Sequence, residues 1–330
     1  MYIKELFLPH GLFLGPMAGY TDPTLRRLCR QYGVDMTVTE MVSAKAVCHG
    51  DKKTHLLARI YPDETPCALQ LFGSDPSTLS EAAKIVVAGE LGYAKPAMID
   101  INMGCPMPKI TGNGEGGALL KSPHLIEQIV SAVVSSVDVP VSVKLRIGWD
   151  EQSINAEETA KAAEAGGASL VVLHGRTVKQ VYSGEADWSV IARTKKCVKI
   201  PLIGNGDITS GQLAKQRIRE SGVDGIMVGR AAVGNPFIFK EIVSVLENRD
   251  YTPPTLAEKL EVALLQLRQA CEDKGEAHAI PEARKQVAAY VAGYTGAAEI
   301  RRRVNMAKTY EEVKDILVSF ALSYSEDTTF

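Results

Sequence analysis

Cys105 is the residue of this sequence best placed for acid–base chemistry. It lies in the segment DINMGCPMPKI (100–110), directly after a run that is typical of a buried strand. A cysteine that takes part in such chemistry needs partial exposure and an electropositive neighbourhood. Pro106 stops the strand from continuing, and the glycine-rich run 112–117 indicates a loop able to close over a site. These features favour a functional thiol, with a small core residue as the alternative.

Lys144 lies inside the otherwise apolar run VSVKLRIG. A lysine is costly in such a run unless it faces an anion or an electron-rich ring. A flavin would use it, because the reduced ring carries negative charge near its pyrimidine edge. Gln70 and Asn102, at the ends of neighbouring strands, would hydrogen-bond the polar edge of such a ring, and the backbone of PMAG (16–19) would pass against its face. A lysine that snorkels at a strand end is the alternative.

Two glycine-containing loops indicate a phosphate site. IGNGDITS carries Asn205, Gly206 and Asp207, and MVGRAAVGNP carries Gly229 and Arg230. Glycines let backbone N–H groups approach an anion closely, and barrels often bind phosphate between the loops that follow strands seven and eight. The predicted ligand is therefore phosphorylated, and two ordinary glycine turns are the alternative.

His174 and Arg176, in LHGRT, stand at alternate positions of another strand end. Side chains two positions apart on a strand face the same side, so both would reach one ligand. For the histidine alone, a structural role is an equal alternative.

Eight short apolar runs must position these side chains. They occupy residues 12–19, 36–42, 67–73, 97–105, 141–148, 169–176, 200–207 and 225–231. Helical patterns separate them, which predicts an α/β fold, a (β/α)8 TIM barrel, over about residues 1–245. All eight polar strand ends would then meet at the carboxyl mouth of the barrel. A doubly wound open sheet is the competing fold, but the first loop, GPMAGYTD, lacks its GxGxxG pattern.

The chain changes character at TPPTL (252–256), after which every pattern is helical. We therefore predict a catalytic barrel domain over residues 1–248 and a C-terminal all-α helical bundle over 249–330. Between residues 284 and 308 six cations face one anion, with Tyr290 and Tyr294 interleaved. Clustered cations bind phosphate and tyrosines stack on bases, which favours RNA binding over a solvated helix face. The cations proposed for RNA contact are Arg284, Lys285, Arg301, Arg302 and Arg303.

Composition excludes several classes of protein. The net charge of −2 and pI near 6.3 exclude a globally basic nucleic-acid binder. Six cysteines without a CxxC pair argue against a disulfide scaffold and a structural zinc site, so no metal is predicted and a reducing cytoplasm fits best. Without a signal-type segment or an apolar run of about 18 residues, no membrane association is expected.

The motifs, taken in order, resemble those of the bacterial tRNA-dihydrouridine synthase family. They are GPMAGYTD, TEM, DINMGCP with GGALL, VKLRIGW, HGRT, GNGDI, VGRAAVGNPFIF and the C-terminal EARKQVAAYVAGYTG. The resemblance implies bound FMN, NADPH as reductant, and a helical domain that holds tRNA. Onto this sequence it carries an FMN site formed by Pro16, Met17, Ala18, Gln70, Lys144, His174, Asn205, Gly206, Asp207, Gly229 and Arg230.

The same resemblance implies the roles of the remaining residues. Asn102 would face flavin and target base, and Cys105 would be the general acid that protonates one carbon of the uracil 5,6 double bond while hydride reaches the other. A thiol with a pKa of about 8.5 is mostly protonated at pH 7 and suits this role. Apart from the resemblance, Arg176 would contact substrate because of its position beside His174, and Lys109 would contact RNA from the loop after Cys105. Three positions depart from the family pattern, namely Thr39, Gly117 and Gln286.

Two other functions share some of these features. An FMN-dependent barrel oxidoreductase acting on a small pyrimidine, as dihydroorotate dehydrogenases do, would have the barrel and the flavin but no reason for a basic helical region. An RNA-binding protein without catalysis would not need Cys105, Lys144 and Asn102. Nothing in the sequence demands an obligate protein partner, and it does not show which uridine is reduced.

Overall fold

A computed structural model describes residues 1–326 and contains a closed barrel of eight parallel strands. The strands are β1 Leu12–Leu14, β2 Met36–Val38, β3 Cys67–Phe72, β4 Met98–Met103, β5 Val141–Arg146, β6 Leu170–His174, β7 Leu202–Asn205 and β8 Gly225–Val228. Each pairs with the next along the chain, and Phe13 of β1 pairs with Met36 of β2 and Met227 of β8. The predicted TIM barrel is confirmed, and the competing open sheet is wrong because the sheet closes on itself.

Ten helices surround or connect the strands. They are α1 Pro23–Gln31, α2 Ala44–Cys48, α3 Lys52–Leu57, α4 Pro76–Val87, α5 Pro108–Thr111, α6 Pro123–Val134, α7 Ala156–Ala165, α8 Trp188–Lys195, α9 Gly211–Ser221 and α10 Ile238–Leu246. Side chains cap several of them, as when Asp75 accepts from the Thr78 N–H at the start of α4. Their apolar faces pack on the strands, so the core between the two layers holds the strand ends in place.

A short antiparallel pair, Tyr2–Ile3 with Leu6–Phe7, precedes the barrel and was not predicted from the sequence. Ile3 and Leu8 are almost fully buried in one apolar cluster with the interior-facing side chains Phe13 and Met36. This cluster fills the barrel, and the polar residues considered below lie beyond it at the carboxyl ends of the strands. The candidate site residues of the barrel therefore lie at one end of it.

Four further helices follow the barrel, as the sequence predicted. They are α11 Leu256–Lys274, α12 Glu276–Tyr290, α13 Ala297–Met306 and α14 Tyr310–Glu326. Thr255 and Glu258 form a reciprocal capping box at the start of α11. The helices enclose their own apolar cluster, which also takes in Leu28 of α1 and Phe237 at the start of α10. Within residues 1–326, no helix combines the length and apolarity needed to cross a bilayer.

Candidate active site

A cavity of about 1070 Å³ lies at the carboxyl mouth of the barrel, and we call it the mouth cavity. Its walls include thirteen of the residues proposed from sequence. These are Pro16, Met17, Ala18, Gln70, Asn102, Cys105, Lys144, His174, Asn205, Gly206, Asp207, Gly229 and Arg230. Barrel closure brings them together from seven strand ends. The size and the mixture of apolar walls with a few polar groups are typical of a cofactor or ligand site.

Cys105 is half-buried in the cavity wall, and its loop is tied on both sides. Its backbone N–H donates to Asn102 Oδ1 at 2.9 Å, and its carbonyl accepts from the Gly117 N–H at 3.0 Å. Burial raises the pKa of the Cys105 thiol above its ordinary value, against smaller opposing effects of a backbone N–H and of Arg146 and Lys144. The thiol is therefore protonated at neutral pH and can donate a proton.

The two amides beside this cysteine are fixed by hydrogen bonds. Asn102 Nδ2 donates to Gln70 Oε1 at 2.8 Å, and Gln70 Nε2 donates to Asp100 Oδ2 at 2.6 Å. Asn102 Oδ1 accepts from the N–H groups of Gly104 and Cys105. The side chains of Asp100, Gln70 and Asn102 form one continuous hydrogen-bonded chain. It ends at the loop that carries Cys105, residues 104–117, which we call the cysteine loop.

Lys144 and His174 set the charge of the cavity. Lys144 Nζ donates to Asn205 Oδ1 at 3.2 Å, while burial, helped by Arg146, lowers the pKa of Lys144 to about 8. Burial and the surrounding cations lower the pKa of His174 well below its usual value. At pH 7 the lysine is mostly an ammonium ion and the histidine is neutral. This part of the cavity thus offers an ammonium group and a neutral imidazole to an electron-rich ring.

Asp207 organises the far side of the cavity. Its carboxylate accepts two hydrogen bonds from Arg176, at 2.9 and 2.8 Å, one from Arg230 at 3.1 Å, and one from the Ala186 N–H at 2.8 Å. Despite some desolvation, these donors lower the pKa of Asp207, which is ionised at neutral pH. The exposed Arg230 guanidinium also lies 4.8 Å from the centre of the Tyr182 ring. The shared carboxylate holds Arg230 at the rim.

The structure does not bring Arg176 into the mouth cavity, and the predicted substrate contact does not fit its position. Arg176 is 2% exposed, and besides Asp207 it donates to the carbonyls of Ser183 and Gly184. Its guanidinium thereby holds the loop after β6 in place. Alternation along the strand could not show that Asp207 would take both ends of this guanidinium.

Gly206 has little space for a side chain. It has a φ of 132°, and a Cβ built there would lie 2.5 Å from Ala186 Cβ and 3.2 Å from His174 Cδ2. Its carbonyl accepts from Trp188 Nε1 at 3.1 Å. Only glycine fits this backbone without displacing its neighbours, so the loop after β7 keeps its backbone at the cavity surface.

Arg146 is a residue of this region that the site prediction omitted. It is 4% exposed and donates to the carbonyls of Gly104, Thr177 and Val181, at 2.9, 2.8 and 2.9 Å. It thereby joins the cysteine loop to the loop after β6. The sequence did hold a signal, since a second cation two positions after Lys144 in an apolar strand needs buried acceptors of its own.

Lys109 lies on the exposed surface of the cysteine loop, in the short helix α5, and does not line the cavity. The glycine-rich run beyond it is packed at its end, where a Cβ on Gly117 would meet Val178 Cγ2 at 2.5 Å. The other departures from the family pattern are buried too. Thr39 Oγ1 accepts the Gln70 N–H at 3.0 Å, and Gln286 Oε1 accepts from Gln266 inside the helical region.

A second cavity of about 950 Å³, the inter-region cleft, lies between α1 and α3 on one side and α12 and α13 on the other. Arg284 and Lys285 line it. Lys285 Nζ lies 4.1 Å from the centre of the Tyr20 ring, and Tyr20 itself lines the mouth cavity. Arg284 donates to the Ala307 carbonyl at 2.7 Å. The two cavities therefore adjoin through the loop that follows β1.

Arg301, Arg302 and Arg303 are exposed on α13, but they do not form one patch. Consecutive helical residues point about 100° apart, so three in a row cannot share a face. Arg302 is paired with Glu299, at 2.7 and 2.8 Å. Arg301 lies one turn before Asn305, a residue of the inter-region cleft.

The fold and the mouth cavity define a TIM-barrel protein whose ligand site lies at the carboxyl ends of the strands. Solved structures share this fold. Morphinone reductase matches with a TM-score of 0.54 at 13% identity, over 78% of this chain and 92% of that chain. A 2-naphthoyl-CoA reductase complex matches with a TM-score of 0.58 at 11% identity, over 76% and 52% of the two chains.

The chain belongs to the dihydrouridine synthase (Dus) family, whose model matches residues 13–324. A probable tRNA-dihydrouridine synthase of Rickettsia conorii is 38% identical over 98% of this chain and 97% of its own length. The tRNA-dihydrouridine synthase B of Pseudomonas aeruginosa is 41% identical over 90% of this chain and 89% of its own. The predicted family and enzyme class are confirmed, and a flavin is the cofactor class that this family implies.

Proposed function

We propose that this protein reduces the 5,6 double bond of uridine within tRNA, with FMN held in the mouth cavity and NADPH as the reductant. The relatives are named as tRNA-dihydrouridine synthases, and the inter-region cleft brings Arg284 and Lys285 next to the cavity. The observation that carries the proposal is one cavity in which a protonated thiol, an oriented amide and a buried lysine face the same space.

The residues of the mouth cavity suit FMN. Gly206 keeps a backbone surface open, and Arg230 supplies a fixed charge for the phosphate. The ammonium of Lys144 and the amide of Gln70 suit the polar edge of the ring, and Pro16, Met17 and Ala18 present a mostly apolar surface to its face. When bound and reduced, FMN supplies hydride to one carbon of the uracil double bond.

Cys105 gives the proton that completes the reduction. Its raised thiol pKa keeps the proton on sulfur at neutral pH, as a general acid requires. Asn102 holds the cysteine loop through two backbone N–H groups. Its Nδ2 also lies 3.9 Å from Met41 Sδ, a weak acceptor that the substrate base would displace. The thiolate left after transfer is stabilised by the nearby cations Lys144 and Arg146 until it regains a proton.

We further propose a division of labour along the chain, with a catalytic domain over residues 1–248 and a tRNA-binding domain over 249–330. A uridine must leave its stack to reach the mouth cavity, so the rest of the tRNA has to be held beside it. Arg284, Lys285 and Arg301 lie at or near the inter-region cleft and suit phosphate contacts, whereas Lys109 would contact RNA from the cysteine loop. We expect the enzyme to act in the cytoplasm, where tRNA is found.

The test uses purified protein, unmodified tRNA transcripts and free pyrimidines. The protein should be yellow, its flavin should be bleached by NADPH, and dihydrouridine should appear in tRNA while free uridine and dihydroorotate stay unchanged. NADH in place of NADPH measures the preference for reductant. A colourless protein that does not bind FMN would contradict the proposal, and turnover of free pyrimidines without reduction of tRNA would favour the small-molecule function.

A further inference from the structure

Asp100 is a buried carboxylate that the proposed mechanism does not yet use. It lies on β4, is 2% exposed and is not part of the mouth cavity wall. Oδ1 accepts from Ser142 Oγ at 2.5 Å, and Oδ2 accepts from Gln70 Nε2 at 2.6 Å. A carboxylate is expensive to bury, so one kept beneath a reactive cavity with both oxygens hydrogen-bonded calls for a role.

The hydrogen-bond chain that begins at Asp100 has only one direction. Both oxygens of Asp100 accept hydrogen bonds, so Gln70 turns its NH₂ group towards Asp100 and its carbonyl oxygen away. That oxygen then accepts from Asn102 Nδ2, which leaves Asn102 Oδ1 facing the cysteine loop. Burial raises the pKa of the Asp100 carboxyl, and the hydrogen bonds from Ser142 and Gln70 oppose that rise.

The other end of the hydrogen-bond chain independently requires the same orientation of the two amides. The backbone N–H groups of Gly104 and Cys105 can only donate, at 3.2 and 2.9 Å from Asn102 Oδ1. An acceptor-only group at one end and two donor-only groups at the other leave a single arrangement of the two amides that satisfies every atom. A neutral group in place of the carboxylate removes the constraint at its end of the chain and leaves only the two backbone N–H groups to set the direction.

We propose that Asp100 is a positioning residue for the reaction: its carboxylate fixes the orientation of Gln70 and Asn102 and, through them, the place of the Cys105 thiol. The inference rests on the proposed function, in which Cys105 is the proton donor. Proton transfer depends steeply on the placement of the donor, since a displacement of about 1 Å can slow a reaction about 100-fold. Asp100 would therefore govern the rate without touching substrate or cofactor.

Asp100 also lies near Lys144, and its charge could affect catalysis through that lysine instead of through the hydrogen-bond chain. Its negative charge favours the ammonium form of Lys144, while Arg146 and burial oppose that form and Cys105 supports it. If Asp100 acted on catalysis through this charge, its replacement would alter the step that depends on Lys144, the reduction of the flavin by NADPH. The hydrogen-bond chain predicts that the proton-transfer step is the one that slows.

The experiment is a double-mutant cycle on FMN-loaded full-length protein. Single-turnover reduction of tRNA by pre-reduced enzyme is measured for wild type, Asp100→Asn, Cys105→Ala and the double variant. We expect Asp100→Asn to slow the reaction about 10- to 100-fold when Cys105 is present and by no more than about 3-fold when it is absent. NADPH-driven bleaching of the flavin should stay within about 3-fold of wild type.

Ser142→Ala is the matched control, because it removes a hydrogen bond from the other Asp100 oxygen and leaves the chain to Gln70 in place. It should slow tRNA reduction far less than Asp100→Asn. Equal losses from Asp100→Asn with and without Cys105 would overturn the inference, as would a loss confined to flavin reduction. If Asp100→Asn does not accumulate as folded protein, Asp100→Ser also removes the carboxylate outside the cavity wall and carries the cycle.

Failure of the proposed function would look different. If wild-type protein does not form dihydrouridine, the function itself is wrong and the cycle is not reached. If wild type is active but Cys105→Ala reacts at the wild-type rate, the acid role of Cys105 is removed, and the inference with it. Only an active wild type with a slow Cys105→Ala variant tests Asp100.

Discussion

The mouth cavity and helix α13 differ in how firmly their polar side chains are held. In the cavity, Gln70, Asn102 and Asp207 are held by several short hydrogen bonds each. On α13, Arg301 and Arg303 are exposed and extend into solvent. One region has fixed its geometry before any ligand arrives, whereas the other can adjust its side chains to the shape of a partner.

The difference follows from what each region has to do. Hydride and proton transfer need atoms placed to within fractions of an ångström, so the supporting hydrogen bonds must be made in advance. Phosphate binding depends mainly on positive charge and on the release of counterions, and long mobile side chains are sufficient for it. Substitutions in the cavity should therefore change rates strongly, and substitutions on the helices should change affinity weakly and in a salt-dependent way.

The largest effect is expected for Cys105→Ala. Loss of the proton donor should slow single-turnover reduction of tRNA by about 100- to 10,000-fold, because general acids contribute factors of that order. FMN binding should be retained. Cys48→Ala is the matched control, since Cys48 is exposed and is not part of the cavity wall. A Cys105→Ala variant as fast as the control would remove the acid role.

Lys144→Met should slow reduction of the flavin by NADPH on the order of 100-fold, because the negative charge that develops on the ring loses its cation. Wild-type activity should also fall as pH rises through about 8, where Lys144 loses its proton. The variant should not show that fall. Stopped-flow bleaching of the flavin, from about two pH units below 8 to about two units above it, measures the rate and its pH dependence. Identical pH profiles for wild type and variant would contradict the role of Lys144.

Gly206→Ala should weaken FMN binding about 10-fold, because the added Cβ meets Ala186 and the backbone has a positive φ. The loss corresponds to about 1.4 kcal/mol, within the range of local backbone strain. Gly222→Ala is the control, as that glycine also has a positive φ but open space around its Cβ position. Titration of apoprotein with FMN measures both, and equal affinities would show that the loop after β7 does not set the cofactor affinity.

The smallest effect is expected for Arg301→Ala. Loss of one phosphate contact should weaken tRNA binding about 3- to 5-fold and reduce the slope of log affinity against log salt by about one. Arg302→Ala should do less, since Arg302 is already paired with Glu299. Filter binding at several salt concentrations separates the two variants. Equal losses for both would mean that the three arginines do act as one patch.

The sequence predicted the parts of the molecule that depend on local pattern. The near-continuous apolar runs indicated all eight strands, and their polar ends indicated the residues that closure brings together, such as Lys144 and Gly206. The helical region was predicted for the same reason, because apolar spacing of three and four repeats along it.

The sequence could not predict which polar groups would form hydrogen bonds and ion pairs with each other. Arg176 looked like a ligand contact, but Asp207, thirty-one positions later, takes its guanidinium. Arg146 was not proposed as a site residue, but three carbonyls from two other loops surround it. The row of arginines on α13 read as one patch until the turn of the helix separated them. These pairings depend on three-dimensional distances between segments far apart in the chain.

The apolar cluster of the helical region includes two side chains from the barrel. This affects how chimaeras between such enzymes can be made. Leu28 is fully buried there and Phe237 nearly so, with the Phe237 ring 4.6 Å from that of Tyr32. A chimaera that takes its helical region from another family member, joined near residue 248, would set a foreign surface against these three side chains. Exchange of tRNA preference between relatives should therefore succeed only when positions 28, 32 and 237 travel with the helices.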